Sequence, residues 1–292
     1  MSKKTRGILL SILILALLIP IVVVMSYYFI YSRETLKPKS SDTMCNIETI
    51  DFEGRKVFYI TPKEEKTNLT IIYFHGGSYI AEATKDHWEF LQNISKDLSA
   101  TVIMPDYPLT PKHNYKDVFN FLEPLYKKII EKIDVNNLVM MGDSAGGGMA
   151  LGLEEKLTQE KIEIPKKTIL ISPWLDTRLE NPKISEFQNK DKQLNKEALK
   201  IAGVAYSSGD DNYLVNPIEG DLSKLKSITI FIGTDDILNP DVYLLKEKGK
   251  EQGIEIQIKE YENAAHIWMI EKNSGEELTN RGYLDILETI RE

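Results

Sequence analysis

In Gly142-Asp143-Ser144-Ala145-Gly146-Gly147 a serine stands between two glycines, and the chain changes character on either side of it. Before it runs Asn137-Leu138-Val139-Met140-Met141, short, apolar and partly β-branched as a strand covered on both faces is. After it Met149-Ala150-Leu151-Gly152-Leu153 leads into Glu154, Glu155 and Lys156 at helical spacing. A strand that turns this sharply into a helix crowds the side chains beside the serine. Glycines at 142 and 146 remove the Cβ atoms that would clash and leave the Ser144 hydroxyl exposed above a sheet, the geometry of a nucleophile elbow. A helix starting at Ser144 also aims free N–H groups and a partial positive charge at that hydroxyl. A phosphate-cradling loop or a plain strand–helix turn would use similar glycines. No Gly-Lys-Ser/Thr pair follows, however, and the spacing is not that of a dinucleotide fingerprint.

Hydrophobic patterning predicts strands at 47–52, 56–61, 69–74, 100–105, 137–141, 168–172, 228–233 and 255–261. Helical patterns fall at 85–98, 115–133, 144–158, 241–252 and 275–291, with Gly253 stopping the fourth. Strands that alternate with helices imply an α/β domain, with a mostly parallel eight-stranded sheet and helices on both faces. The domain is expected over 46–292. Its alternation lapses into a polar stretch with one helical pattern near 190–206. A cap inserted at about 176–226 would close over the carboxyl ends of the strands, where open α/β sheets bind ligands.

The N-terminus makes a separate prediction. Residues 7–30 carry no charge, and at about 1.5 Å per residue they are long enough to cross a ~30 Å hydrocarbon layer. Lys3, Lys4 and Arg6 in the flank 1–6 precede the stretch, and Tyr27, Tyr28 and Tyr31 close it, as a single-pass anchor requires. The apolar run exceeds the ~7–15 residues of a signal-peptide core and no small-x-small cleavage site follows, so an uncleaved helix is expected. Residues 31–45 then form a polar tether, although Arg33, Lys37 and Lys39 blunt the charge asymmetry. The expected location is the cell membrane, with the domain on the extracytoplasmic side. A net charge of −8 argues against a nucleic-acid partner. Cys45 is the one cysteine, which excludes an intramolecular disulfide and a cysteine zinc site.

A nucleophilic serine needs a base, an acid and oxyanion donors. After the third strand comes His75-Gly76-Gly77-Ser78, where adjacent glycines can bring backbone N–H groups to a carbonyl oxygen; the Ala145 N–H would add another. His75 precedes the serine and is expected to stabilise that loop. Asp235, Asp236 and Asp241 follow the seventh strand and compete as the acid, with Asp241 better suited to cap the next helix. Asp176 follows the sixth strand and suits a structural or cap role. His266, after the last strand, is the only histidine beyond these aspartates and is the expected base. His87 and His113 are left over and expected at the surface.

Taken together, His75-Gly76-Gly77, Asp106-Tyr107-Pro108-Leu109-Thr110-Pro111, Gly142-Asp143-Ser144-Ala145-Gly146-Gly147, Ser172-Pro173-Trp174-Leu175-Asp176, Gly233-x-x-Asp236-x-Leu238 and His266 resemble the hormone-sensitive-lipase-like branch of the α/β-hydrolase superfamily, which includes bacterial carboxylesterases. The resemblance runs from about residue 73 to the C-terminus. It implies an α/β-hydrolase fold with Ser144 as nucleophile, Asp236 as acid, His266 as base, and Gly76, Gly77 and Ala145 as oxyanion donors. It further implies hydrolysis of a small carboxylic ester, with short acyl chains favoured, through an acyl-enzyme and without metal or organic cofactor. Amide or formamide hydrolysis on the same triad and a non-catalytic ligand-binding role are the alternatives. The chain departs from the family pattern at Ser78, where a third glycine is usual, at Pro108, where an arginine is usual, and at Ile237, where a proline is usual. It also lacks a counterpart of the N-terminal cap helices, which predicts a smaller cap and a more open pocket.

Overall fold

Short β-branched segments line up into one sheet in the computed structural model, which describes residues 43–292. The anchor expected at 7–30, its flank and nearly all of the tether lie outside the described residues. Among the described residues no helix is long and apolar enough to cross a membrane. Cys45, at the end of the expected tether, is buried, with its N–H and thiol directed at Gln92.

The strands are β1 (Asn46–Phe52), β2 (Arg55–Thr61), β3 (Thr70–Phe74), β4 (Thr101–Pro105), β5 (Leu138–Asp143), β6 (Lys167–Ile171), β7 (Ser227–Gly233) and β8 (Ile256–Tyr261). They form an eight-stranded sheet in the order β1-β2-β4-β3-β5-β6-β7-β8. The hairpin β1–β2 turns through Glu53 and Gly54, both at positive φ as a tight two-residue connection requires, and it pairs antiparallel with β4. From β4 to β8 all pairing is parallel. Every residue of β3, β5 and β6 is buried, because helices cover both faces of a parallel sheet.

Helices α1 (Lys85–Asp97), α2 (Tyr115–Ile130), α3 (Ala145–Gln159), α4 (Ile184–Phe187), α5 (Lys196–Ser207), α6 (Asn239–Glu251), α7 (Trp268–Glu271) and α8 (Glu276–Arg291) follow in chain order. On one face Trp88 and Phe90 of α1 pack with Trp268 of α7 and Ile286 of α8. On the other, Phe119 and Leu122 of α2, Met149 and Leu153 of α3, and Val242 and Leu245 of α6 form the second core. Side-chain caps open α1 at Thr84, α2 at Asn114 and α5 at Asn195. Between β6 and β7, where a cap is expected, the chain forms α4, α5 and their loops. It is pinned where Tyr206 of α5 stacks on Tyr79 with ring centroids 3.6 Å apart.

The helix after the elbow begins at Ala145 rather than at Ser144. Ser144 itself has φ 52° and ψ −122°, a conformation no helical residue takes. The flanking glycines are needed for the reason the sequence suggested. A Cβ on Gly142 would lie 2.4 Å from the Gly146 carbonyl oxygen, and one on Gly146 would lie 2.0 Å from that of Phe74 at the end of β3.

Glu154 of α3 is fully buried and accepts a hydrogen bond from Thr168 Oγ1. Burial raises its carboxyl from 4.5 to about 7, against partial relief from Thr168 and Lys226. Because the folded value lies above the unfolded one, this group's stabilisation is complete below about pH 4.5 and is lost as pH rises to about 7. Glu154→Gln, which keeps the acceptor, is therefore expected to raise the thermal midpoint by a few degrees at pH 8 and to match wild type near pH 4.5.

Candidate active site

Loops from the carboxyl ends of β3, β5, β7 and β8 converge over the elbow. The Ser144 N–H donates to the Ile171 carbonyl at 2.9 Å, and the Ser144 carbonyl accepts from the N–H groups of Trp174 at 2.8 Å and Gly147 at 3.0 Å. These bonds hold the strained backbone in place. Ser144 and His266 both line a cavity of about 250 Å³, together with Gly77, Ser78, Gln193 and Leu194.

His266, just past β8, places Nδ1 2.9 Å from Asp236 Oδ2. The other carboxylate oxygen of Asp236 accepts from the Leu238 N–H at 2.9 Å, so a backbone turn sets the carboxylate's orientation. Asp236 is wholly buried and His266 is nearly so. Burial alone lowers the imidazole pKa, but the charge and hydrogen bond of Asp236, with Asp191 and Glu271 beyond, outweigh it and raise His266 to about 8.

The competing aspartates have other partners. Asp235 lies beside Thr234, with its carboxylate 3.5 Å from Oγ1. Asp241 falls within the first turn of α6 and does not cap it, contrary to expectation. The cap position is Leu238, and the Asp241 carboxylate accepts from Asn181 of the cap at 2.8 Å, which anchors α6 to the insertion instead. Asp176 has the structural role expected of it, pairing with Arg178 at 2.8 Å.

A second histidine–aspartate pair lies beneath the glycine loop. Asp143, fully buried, accepts from Tyr73 Oη at 2.6 Å and from the Gly76 N–H at 2.9 Å, and its Oδ2 is 3.3 Å from His87 Nε2. Nδ1 of His87 accepts from the Thr84 N–H at 3.1 Å, which leaves the Nε2 proton facing the carboxylate. Burial opposes charge on both groups. Their mutual attraction wins, holding the Asp143 carboxyl below and the His87 imidazole above their ordinary values.

Two expectations change as a result. His87 is buried rather than on the surface, because the turn into α1 folds its ring under the loop. Gly76 is not a free oxyanion donor: its N–H is spent on Asp143, and a Cβ there would lie 2.2 Å from Asp143 Oδ2. Gly77 lines the cavity with Ser144, and Ala145 begins the helix that follows the serine. His75 stabilises the loop as expected. Its ring stacks on Tyr107 at 4.4 Å and its Nδ1 lies 2.7 Å from the Gly76 carbonyl, while burial lowers it to about 4, so it is neutral. His113 stays at the surface, 3.5 Å from Asp117.

Residues 71–270 match the family model of the alpha/beta hydrolase fold, and the chain belongs to that family. It is 29% identical over 220 residues to an esterase of Acinetobacter venetianus, covering 74% of this chain and 72% of that protein. To an acetyl-hydrolase of Streptomyces hygroscopicus it is 24% identical over 202 residues, 68% of each. The crystal structure of a hormone-sensitive lipase from a metagenome library shares the fold with a TM-score of 0.81 at 22% identity, covering 92% of this chain and 91% of that one.

His87→Ala would leave the buried Asp143 carboxylate with Tyr73 and Gly76 as its remaining donors. Urea unfolding is expected to show a loss of about 2–3 kcal/mol, the scale of removing a hydrogen bond to a buried charged group.

Proposed function

We propose that the protein is a serine carboxylesterase that hydrolyses small carboxylic esters through an acyl-enzyme on Ser144. The observation that carries this reading is the strained Ser144 and the Asp236-bound His266 opening on one cavity. In the reaction His266 Nε2 takes the Ser144 hydroxyl proton as Oγ attacks the ester carbonyl, and Asp236 stabilises the imidazolium that forms. The N–H groups of Gly77 and Ala145 would hold the oxyanion. Collapse of the tetrahedral intermediate breaks the ester C–O bond, and His266 returns the proton to the departing alcohol. Water, deprotonated by His266 in turn, then attacks the acyl-serine and releases the acid. No step requires a metal or organic cofactor.

The esterase and acetyl-hydrolase among the relatives favour ester chemistry and a short acyl group. A cavity of about 250 Å³ is of a size for such a group. We read residues 7–30 as a membrane anchor that holds the domain on the extracytoplasmic side, supported by their uncharged length.

Hydrolysis of p-nitrophenyl esters of increasing acyl length tests the reading. Turnover should fall from acetyl and butyryl to long chains, and Ser144→Ala and His266→Ala should each lose up to ~10⁶-fold. A folded protein inert to every ester and to a serine-directed phosphonate would shift the reading to amide chemistry or to binding alone. The base must be neutral to accept a proton and its pKa is raised to about 8, so kcat/KM should climb with pH and level off above that value.

A further inference from the structure

The cap contributes a buried carboxylate to the site. Asp191 follows α4, and its N–H donates to the Phe187 carbonyl at 3.0 Å. Only 6% of its surface is exposed. Its Oδ1 accepts from the N–H groups of Gln193 and Leu194, each at 2.8 Å, and its Oδ2 accepts from the Ile237 N–H at 2.9 Å. Ile237 is the residue directly after Asp236, so one carboxylate ties the cap to the loop that carries the acid. A proline at 237 would have no N–H to donate.

The same short segment reaches the base from its other end. Gln193 Nε2 donates to Glu271 of α7, five residues beyond His266. Gln188 closes the segment from behind, donating to the Leu194 carbonyl at 2.9 Å and accepting from the Lys196 N–H at 2.7 Å. Gln193 and Leu194 are themselves part of the cavity wall. The loop 191–194 thus straddles acid, base and pocket, and Asp191 is its one buried charge.

We propose that Asp191 is a positioning residue: it fixes the loop bearing Asp236, and through it the orientation of His266, while setting the cap's wall of the substrate pocket. The proposal rests on the Ser144–His266–Asp236 reading above. The Ile237 N–H donates to Asp191, while the two oxygens of Asp236 meet the Leu238 N–H and His266 Nδ1. The charged and titratable groups facing His266 are then Asp236 from the β7 loop, Asp191 from the cap and Glu271 from α7; those facing Asp191 are Asp236 and His266. A negative Asp191 adds to the field that favours the imidazolium.

The test is kcat/KM against pH for the full chain and for Asp191→Asn and Asp191→Ser, with urea unfolding alongside. The serine keeps a hydroxyl acceptor for the turn while removing the charge. Supporting the proposal, either folded variant should lose roughly 10–100-fold in kcat/KM, with the acid limb displaced to lower pH by about half a unit or more. A stability loss or activity loss with the limb unmoved overturns it, since a merely structural residue would not change the base. A wild-type limb centred at or below 6.5 overturns it without any variant. Wild type inert to esters and to phosphonate overturns the triad reading, and this proposal with it; active wild type with unmoved variants overturns this proposal alone.

Discussion

At the turn from β5 into α3 the chain presses against its neighbours with no room for a Cβ atom. Gly146 meets the carbonyl oxygen of Phe74, where β3 ends and the His75-Gly76-Gly77 loop begins, so elbow and loop are set against each other by contact. From the opposite side, Ile171 of β6 and Trp174 beyond it bond the Ser144 backbone. The serine's unusual φ and ψ are therefore over-determined by two neighbouring strands, which is how a strained residue persists in a folded protein. A parallel sheet makes this possible because its strands all end at one rim.

Two histidine–aspartate pairs use the same chemistry for different ends. His87 and Asp143 are locked under the loop with Tyr73, Thr84 and Gly76 completing their hydrogen bonds. Such a pair strengthens the scaffold because the Asp143 oxygens and both His87 nitrogens have partners, a condition without which buried charge costs more than it returns. His266 and Asp236 meet at 2.9 Å in similar burial, and both His87 and His266 border the cavity that Ser144 lines. What differs is how the rings are held: His87 has Nδ1 against Thr84 and Nε2 against Asp143, while His266 is held by Asp236 through Nδ1. His75, whose ring centroid lies 6.0 Å from that of His87, is lowered to about 4 by burial and by that neighbour.

Much of this was legible in residue order. Eight strands and the helices between them could be read because covered parallel strands are short apolar runs and amphipathic helices repeat every three to four residues. Ends were less exact: the helix expected to reach 133 stops at Ile130, and the elbow helix begins one residue late, since capping and strain act locally where periodicity is silent. His87 was misplaced because its partner, Asp143, is 56 residues away and a polar residue at the start of a helix ordinarily faces water. An acid beside the elbow serine was the available signal that something buried must pair with it.

Local sequence by itself determined the elbow and the eight strands, because backbone sterics and hydrophobic period act over a few residues, while Asp236 was singled out only by resemblance to a family. Which aspartate meets His266, which glycine N–H is taken by Asp143, and how a residue of the insertion reaches the loop after β7 are seen in the tertiary structure. Each depends on a hydrogen bond between groups tens of residues apart, such as Gly76 to Asp143 or Ile237 to Asp191. Buried donors and acceptors must find partners, and the partner a group finds is set by what the fold brings within about 3 Å of it.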